Sequence, residues 1–464
     1  MERNVKIPVL FVLMEFAPVN TTGNFRSLKF IKYLTRFGVQ PIIVTFREEE
    51  GAKYFNTHTD PALLNELPPE AIIYRVHCDE LKTLVKGKLG DFLSVYFSIK
   101  DSLADRWRPY LFKELDAIVN KHKPRLLYTS LPPYSSGMLS VEISRKYNLP
   151  LIIDMRDLWA LFGQAPIPTY LHFNLMIREE RKIFEHATAI IGVTPQEIDS
   201  IKTAHPSVNG NKFHLIPNGF DKDVTTLSPF TFEGGKEKIV IGYVGAFYFQ
   251  PEQRDNVFKP WWKKPGHKML EYNPVKQDWK YRSPYFFFKA LRALFDKYPM
   301  CAQKVQVEFV GKRPAWLDPM VAEFGLTGNC LFHGFVDHRT SLELQKRFDL
   351  FLATSEKVVN GEHYCMPSKV FDYVGQNKPI LGFVTKGIQR DFLRESGLAV
   401  ICDPDDVAGS VETLHGLFSS GRTFRPNYQY LEQYNRLELT TKLATLIHSL
   451  VNQETPLKQP TKIQ

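Results

Sequence analysis

The ten residues MPSKVFDYVG, from Met366 to Gly375, gather residue types that hold an anion at the start of a helix. Pro367 suits a first helical turn, where a missing N–H is no loss. The free backbone N–H groups of that turn and the helix dipole favour a phosphate. Ser368 belongs to the same turn, and Lys369 adds a charge beside it. Asp372, one turn on, is spaced to accept hydrogen bonds from hydroxyls. An ordinary amphipathic helix with a solvated aspartate would show the same spacing. Two glycine-bearing stretches, NTTGNF (Asn20 to Phe25) and YVGAF (Tyr243 to Phe247), allow backbone to approach a ligand at Gly23 and Gly245. Neither is GxGxxG, so a nicotinamide enzyme is not indicated. A single glycine between strand and helix also serves any plain turn. DMRDLW brings Asp154, Arg156 and Asp157 out of a strand end. Asp157 could orient a hydroxyl there, or an Asp–Arg pair could brace the loop. No spacing of His, Cys, Asp or Glu matches a metal site.

These residues need strands and helices to place them. Val9 to Met14 is a continuous apolar run, the pattern of a strand buried on both faces. A glycine loop follows, then Phe25, Leu28, Ile31 and Leu34 at helical spacing, Gly38 as a stop, and a second strand from Pro41 to Phe46. The alternation continues with strands at Arg125 to Ser130, Pro150 to Asp154, Ala189 to Val193 and Phe213 to Ile216. Helices fall at Ser136 to Tyr147 and Arg178 to His186. From Thr225 to Lys238 the periodicity stops, as expected of a linker. A second set then begins, with strands at Lys238 to Val244, Val305 to Val310, Cys330 to His333, Leu350 to Ala353, Pro379 to Phe383 and Ala399 to Ile401. Its helices are Tyr285 to Tyr298, Thr340 to Phe348 and Pro367 to Val374, and a last helix spans Leu437 to Val451. Two tandem α/β domains follow from this pattern.

The bulk properties agree. A chain of 464 residues exceeds one ordinary core. With 44% hydrophobic and 23% charged residues it is globular in composition, and no apolar run is long enough to span a bilayer. The opening stretch is expected to be a strand rather than a signal peptide, because Glu15 interrupts the apolar run and no small-residue cleavage site follows. Five cysteines, an odd number with no C-x-x-C pair, point to a reducing compartment and a cytoplasmic setting. The net charge of +9 fits nucleic acid, anionic membrane or phosphorylated substrates. No Lys/Arg block of the nucleic-acid type is present, which favours the last two.

The ordered landmarks FAPVNTTGNFRSLKFIKYLTRFG, IIDMRDLW, RKIFEHATAIIGVT, IPNGFD, IGYVGAF, FHGFVDH and PSKVFDYVGQNKPIL resemble the retaining glycosyltransferases of family 4. The likeness runs from about Val9 to about Asp405. It implies the GT-B fold, an α/β architecture of two Rossmann-like doubly wound domains facing each other across a cleft. The expected division is an acceptor-side domain at 1–224, a nucleotide-sugar domain at 225–429, and a returning helix with tail at 430–464. The implied activity is metal-independent, cofactor-free transfer of a hexose from a UDP- or GDP-sugar to a glycan or lipid-linked acceptor in surface polysaccharide assembly. Under this resemblance Gly245, Pro367, Ser368, Lys369 and Asp372 hold the donor, with Asp372 on the ribose. The family's phosphate-binding arginine and lysine map to Arg282, with Lys289 as the alternative. Asp372 stands where the family has the second glutamate of E-x7-E, and Tyr364 stands where it has the first. Glu362 is the nearest acid and Glu356 a further candidate. The catalytic set is then Asp157, Glu362 and Arg282, with Thr22, Gly23, Arg26 and Asp154 on the acceptor side. The departing phosphate oxygen is expected to take the acceptor proton.

The insertion from Val257 to Tyr285 packs three tryptophans among several lysines. It suits a lid or acceptor-site loop, a membrane-facing surface, or plain packing. Residues 81–113 carry a similar mix, with Lys82, Lys86, Lys88, Phe92, Tyr96, Phe97, Lys100 and Trp107, either an interfacial surface at the inner face of a membrane or a solvated helix. His363 and the other histidines show no clustering and are expected to be structural. The rival to an enzyme is a non-catalytic protein of the same fold that binds a sugar nucleotide or scaffolds a glycan-assembly complex. A same-fold epimerase would need placed acids and histidines, which the sequence does not display.

Overall fold

A computed structural model describes residues 6–80, 99–164 and 166–453. The chain divides into two compact units. The first comprises Met1–Leu161, Pro168–Pro217 and Arg436–Gln464; the second comprises Phe162–Ile167 and Asn218–Asn435.

The first unit is built on seven strands: β1 (Ile7–Val12), β2 (Val39–Phe46), β3 (Ile72–Val76), β4 (Leu126–Leu131), β5 (Leu151–Met155), β6 (Ala189–Gly192) and β7 (Phe213–Leu215). They run parallel in the order β3-β2-β1-β4-β5-β6-β7. The central strands are buried almost throughout and mostly apolar, with Thr129, Ser130 and Asp154 as polar exceptions, because helices cover both faces. The helix Arg436–Gln453 lies in this unit, where Leu439, Leu443, Ile447 and Val451 share a core with Phe11, Leu28 and Ile31. His448 also contacts the Phe37 carbonyl at 2.8 Å.

In the second unit β8 (Phe230–Phe232) is followed by β9 (Ile239–Val244), β10 (Gln277–Asp278), β11 (Val305–Val310), β12 (Cys330–Gly334), β13 (Leu350–Thr354), β14 (Lys357–Val358), β15 (Ile380–Phe383), β16 (Ala399–Cys402) and β17 (Arg422–Phe424). Six of them form a parallel sheet in the order β12-β11-β9-β13-β15-β16. Taken in chain order within each unit, both sheets follow the doubly wound 3-2-1-4-5-6 plan, the first with one strand more. The strand order reverses between β1 and β4, and between β9 and β13. Ligands of open α/β sheets bind at the carboxyl ends of strands at such a reversal.

Several local expectations change. The stretch 225–238 is not bare linker: it carries β8, which pairs antiparallel with β17 inside the second unit. The helix starting near Arg178 begins at Tyr170. The lysine- and aromatic-rich segment 81–113 does not present Trp107 to a membrane. Trp107 is fully buried on the helix Leu103–His122, edge-on to Phe46, and Lys100 lies 3.9 Å from Asp105. Lys82, Lys86, Lys88, Phe92, Tyr96 and Phe97 lie outside the described residues. The half of the Val257 to Tyr285 insertion near Gln277 folds into the second unit, where β10 pairs antiparallel with β14. All five cysteines are free thiols. Among the described residues no helix is long and apolar enough to cross a membrane.

Candidate functional site

The carboxyl end of β9 is the place to begin. Gly245 follows it with φ +110°, a conformation that favours glycine, and its N–H donates to the Val310 carbonyl at 2.8 Å. Gly311, at the end of the neighbouring β11, comes so close that a Cβ there would sit 2.5 Å from the Gly245 carbonyl oxygen. Two strand ends thus meet backbone to backbone.

The helix Ser368–Gly375 supplies a cation beside Gly245. Val370, Phe371, Tyr373 and Val374 bury its inner face, while Ser368 and Asp372 are exposed. Tyr373 Oη accepts the Val244 N–H at 3.1 Å and ties the helix to the end of β9. Pro367 stands at the cap, one position before the helix, with no side-chain hydrogen bond to the first turn. Lys369 Nζ donates to Tyr243 Oη at 2.7 Å and lies 4.2 Å from that ring's centroid. It would be 3.1 Å from a Cβ on Gly245. Burial and the charge of Arg282 pull its pKa down to about 7, against a smaller opposing pull from Asp372.

Arg282 reaches the site from a short turn, Trp279–Arg282, ahead of the helix Tyr285–Lys297. Thr354 Oγ1, at the end of β13, donates to the Arg282 carbonyl at 2.8 Å and fixes the turn to the strand. The guanidinium lies 5.1 Å from the Trp279 ring and 5.6 Å from the Tyr248 ring, and donates to Glu356 Oε2 at 3.0 Å. His363 Nε2 stands 3.0 Å from the other oxygen of Glu356. Burial alone would raise the Glu356 carboxyl, but His363 and Arg282 hold it down at about 2. Burial works against the Arg282 charge in turn, and the field of Glu356 outweighs it, so its pKa stays above the usual arginine value. At the β9/β13 reversal Lys369 therefore stands beside the glycine that ends a parallel strand, with Arg282 close enough to act on the Lys369 charge. Such a pairing has the chemistry to hold an anion with several oxygens, since a guanidinium can fork onto two of them and an ammonium adds a point charge.

Of the two basic candidates, Arg282 is the one brought to Lys369 and Gly245; Lys289 is exposed on its helix. Glu362 is exposed on the turn before His363, and Glu356 is the acid that meets Arg282. His363 is not isolated, because it lies against Glu356. Tyr364 is buried, and its hydroxyl accepts from Gln277 Nε2 at 2.7 Å; Gln277 Oε1 accepts from Trp279 Nε1 at 3.1 Å. The insertion therefore braces the position of the missing acid. Tyr243, Trp279 and His363 were not picked out by their surroundings in sequence. Only the pairing of β9 with β13 and β10 with β14 gathers them.

In the first unit the acceptor-side candidates behave differently. Arg26 (4% exposed) and Asp154 (0%) form a buried pair, with Arg26 Nε and Nη2 donating to Asp154 at 2.8–3.1 Å. Arg26 also donates to the carbonyls of Ile216 at 2.7 Å and Pro217 at 2.9 Å, and Tyr128 Oη donates to Asp154 Oδ2 at 2.6 Å. The pair so enclosed ties the first helix to the sheet, and its hydrogen bonds go to the protein rather than to an open surface. Gly23 stands at the start of the helix Thr22–Leu34, where a Cβ would fall 1.6 Å from Arg156 Nη1 and 2.0 Å from Glu15 Oε2. A side chain there would have to displace this ion pair, 3.4 Å long, which lies across the helix start. Thr22 is exposed, and Thr21 caps the helix by accepting from Asn24 N–H at 3.2 Å. Asp157 is half-buried near Glu197; burial, then the charge of Asp157, pushes the Glu197 carboxyl well above its ordinary value. Among the described residues no group of three or more His, Cys, Asp and Glu is placed to hold a metal ion.

No family model matches the sequence, and no curated protein matches it. Solved structures do. Sucrose-phosphate synthase from Thermosynechococcus elongatus aligns with a TM-score of 0.58 at 13% identity, covering 97% of this chain and 100% of that one. Anabaena HepE in complex with UDP aligns at 0.55 and 11% identity, covering 96% and 100%. The lipopolysaccharide outer core galactosyltransferase WaaB aligns at 0.53 and 10%, covering 96% and 100%. Together with two parallel doubly wound sheets, these likenesses give the chain an α/β fold of the GT-B type, built from two Rossmann-like units.

Proposed function

We propose that this chain is a glycosyltransferase that takes a sugar from a nucleotide diphosphate donor, UDP- or GDP-linked, and passes it to a glycan or lipid-linked acceptor. The observation that carries this reading is the convergence of Arg282, Lys369 and Gly245 at the β9/β13 reversal. A diphosphate supplies the clustered oxygens that two cations and the first turn at Ser368 can share. Asp372, exposed on the next turn, is the partner for the ribose hydroxyls. Structures with this fold include one complexed with UDP and one with UDP-glucose, each with HepE. In the proposed reaction the bond from the anomeric carbon to the diphosphate oxygen breaks and a bond to an acceptor oxygen forms on the same face. The departing phosphate oxygen takes the acceptor proton. Arg282 and Lys369 stabilise the charge that grows on that oxygen. The transfer is metal-independent and retaining, and Asp157 belongs to the acceptor side. The setting is the cytoplasm, at the inner face of a membrane, in surface polysaccharide assembly.

A second reading, a sugar-nucleotide binder without activity, is favoured by one observation. Tyr364, tied to Gln277, occupies the position where the resembling family has an acid. Nucleotide release from UDP- and GDP-sugars, measured with and without candidate acceptors, separates the two. Release that rises with acceptor supports transfer. Nucleotide binding with no release under any acceptor supports the binder.

A further inference from the structure

The segment 258–270 carries exposed apolar groups that the donor site does not use. Trp261 is 60% exposed, Trp262 63% and Leu270 73%, with Phe258 beside them in sequence and also exposed. The two indoles meet at right angles, 5.9 Å between centroids, so neither ring hides the other's face. Their support is ordered. The turn Trp261–Lys263 starts from Pro260, and Lys264 N–H donates to the Trp261 carbonyl at 3.1 Å. Lys264 is buried, 3.0 Å from Glu271, and Asn256 Nδ2 donates to the same carboxylate at 2.7 Å. An internal ion pair thus holds the turn while its tryptophans point away from the core.

Charge names the partner. From Phe258 to Leu270 the sequence has Lys259, Lys263, Lys264 and Lys268 and no Asp or Glu. Lys259 and Lys263 are exposed on either side of the tryptophan pair. Indoles settle at the headgroup level of a bilayer, and lysines beside them gain from anionic lipid. A neutral sugar chain would use the rings but would have no use for a run of lysines without acids.

We infer that the turn bearing Trp261 and Trp262 is a peripheral membrane anchor, which seats the two indoles among the headgroups of an anionic bilayer while Lys259 and Lys263 contact its charge. The inference refines the membrane setting of the proposed function, and vesicle binding is read without nucleotide, so its failure is distinguishable from a failure of sugar transfer.

The test is co-sedimentation of the full chain with vesicles of phosphatidylcholine, alone or mixed with phosphatidylglycerol, at low and high salt. Binding to the mixed vesicles at low salt, weakened by salt and by omission of phosphatidylglycerol, is the expected result. Trp261→Ala with Trp262→Ala, and separately Lys259→Glu with Lys263→Glu, should each weaken it by about tenfold or more. These side chains are exposed, so an unchanged thermal unfolding midpoint should accompany both losses. Quenching of indole fluorescence by brominated lipid, present in the parent and reduced in the tryptophan variant, places the rings in the headgroup layer. No binding to anionic vesicles at low salt, equal binding to neutral vesicles, or full binding by the tryptophan variant would overturn the inference.

Discussion

Each unit buries an arginine against an acid beside its parallel sheet, and the two pairs do different work. In the first unit Arg26 spends its nitrogens on both oxygens of Asp154 and on two backbone carbonyls, and Tyr128 satisfies the acid as well. In the second, Arg282 donates to Glu356 through Nη1, its flat face lies near Trp279 and Tyr248, and a lysine is forced towards neutrality next to it. The first cluster is closed: charges and hydrogen bonds cancel among neighbours. The second holds more positive charge than its acid can balance. The same pair of residue types thus serves as a strut in one unit and, on the proposed function, as part of a binding place in the other.

The comparison can be broken most forcefully at the strut. Asp154→Ala leaves a fully buried guanidinium without its counter-charge, so it should cost about 3–5 kcal/mol of stability. Denaturant unfolding of this variant reads that loss; a change below about 1 kcal/mol would show that the pair is not structural. Arg282→Ala should act on ligand as well as fold, because it leaves the buried Glu356 with His363 as its remaining partner. Removing a charge-assisted contact weakens UDP or GDP binding by about 2–3 kcal/mol, a factor of roughly 30 to 150, measured by titration calorimetry.

Lys369 sharpens the contrast through pH. Its pKa of about 7 means that the cation is present below that value and lost above it. A bound diphosphate favours the charged form and raises the pKa. Affinity is therefore fully present below about pH 7 and falls as pH climbs past it, by about tenfold over the first unit before the raised pKa of the complex is reached. Lys369→Met should flatten that profile; a profile that stays steep assigns the titration to another group. The smallest effect belongs to Lys289→Ala. That exposed side chain should change nucleotide affinity by no more than about 0.5 kcal/mol.

Most strands of the two central sheets were legible because burial on two faces leaves an apolar run, as in Ile7–Val12, although Gln306 and Glu308 interrupt Val305–Val310. The edge strand Ile72–Val76 was not, since it is half-buried and mixes Tyr74 and Arg75 into the run. The short β8 and β17 escaped for a similar reason: three residues make no period. Within the candidate site, Pro367, Lys369 and Asp372 stood out by a spacing that an amphipathic helix shares, whereas Arg282 needed the resemblance to stand out behind a long insertion. Arg26 and Asp154 misled because a pair separated by 128 residues carries no mark of burial in its letters. The same holds for His363 and Tyr243, whose neighbours are chosen by sheet order.

Titration of the full-length protein and its Arg282→Ala variant with UDP and GDP, at a pH below the Lys369 value of about 7, bears most directly on the account. Saturable binding of one nucleotide by the parent, weakened by roughly 30-fold or more in a folded variant, is the predicted result. Equal affinity in both proteins would contradict it, because the diphosphate would then lie elsewhere than at the β9/β13 reversal.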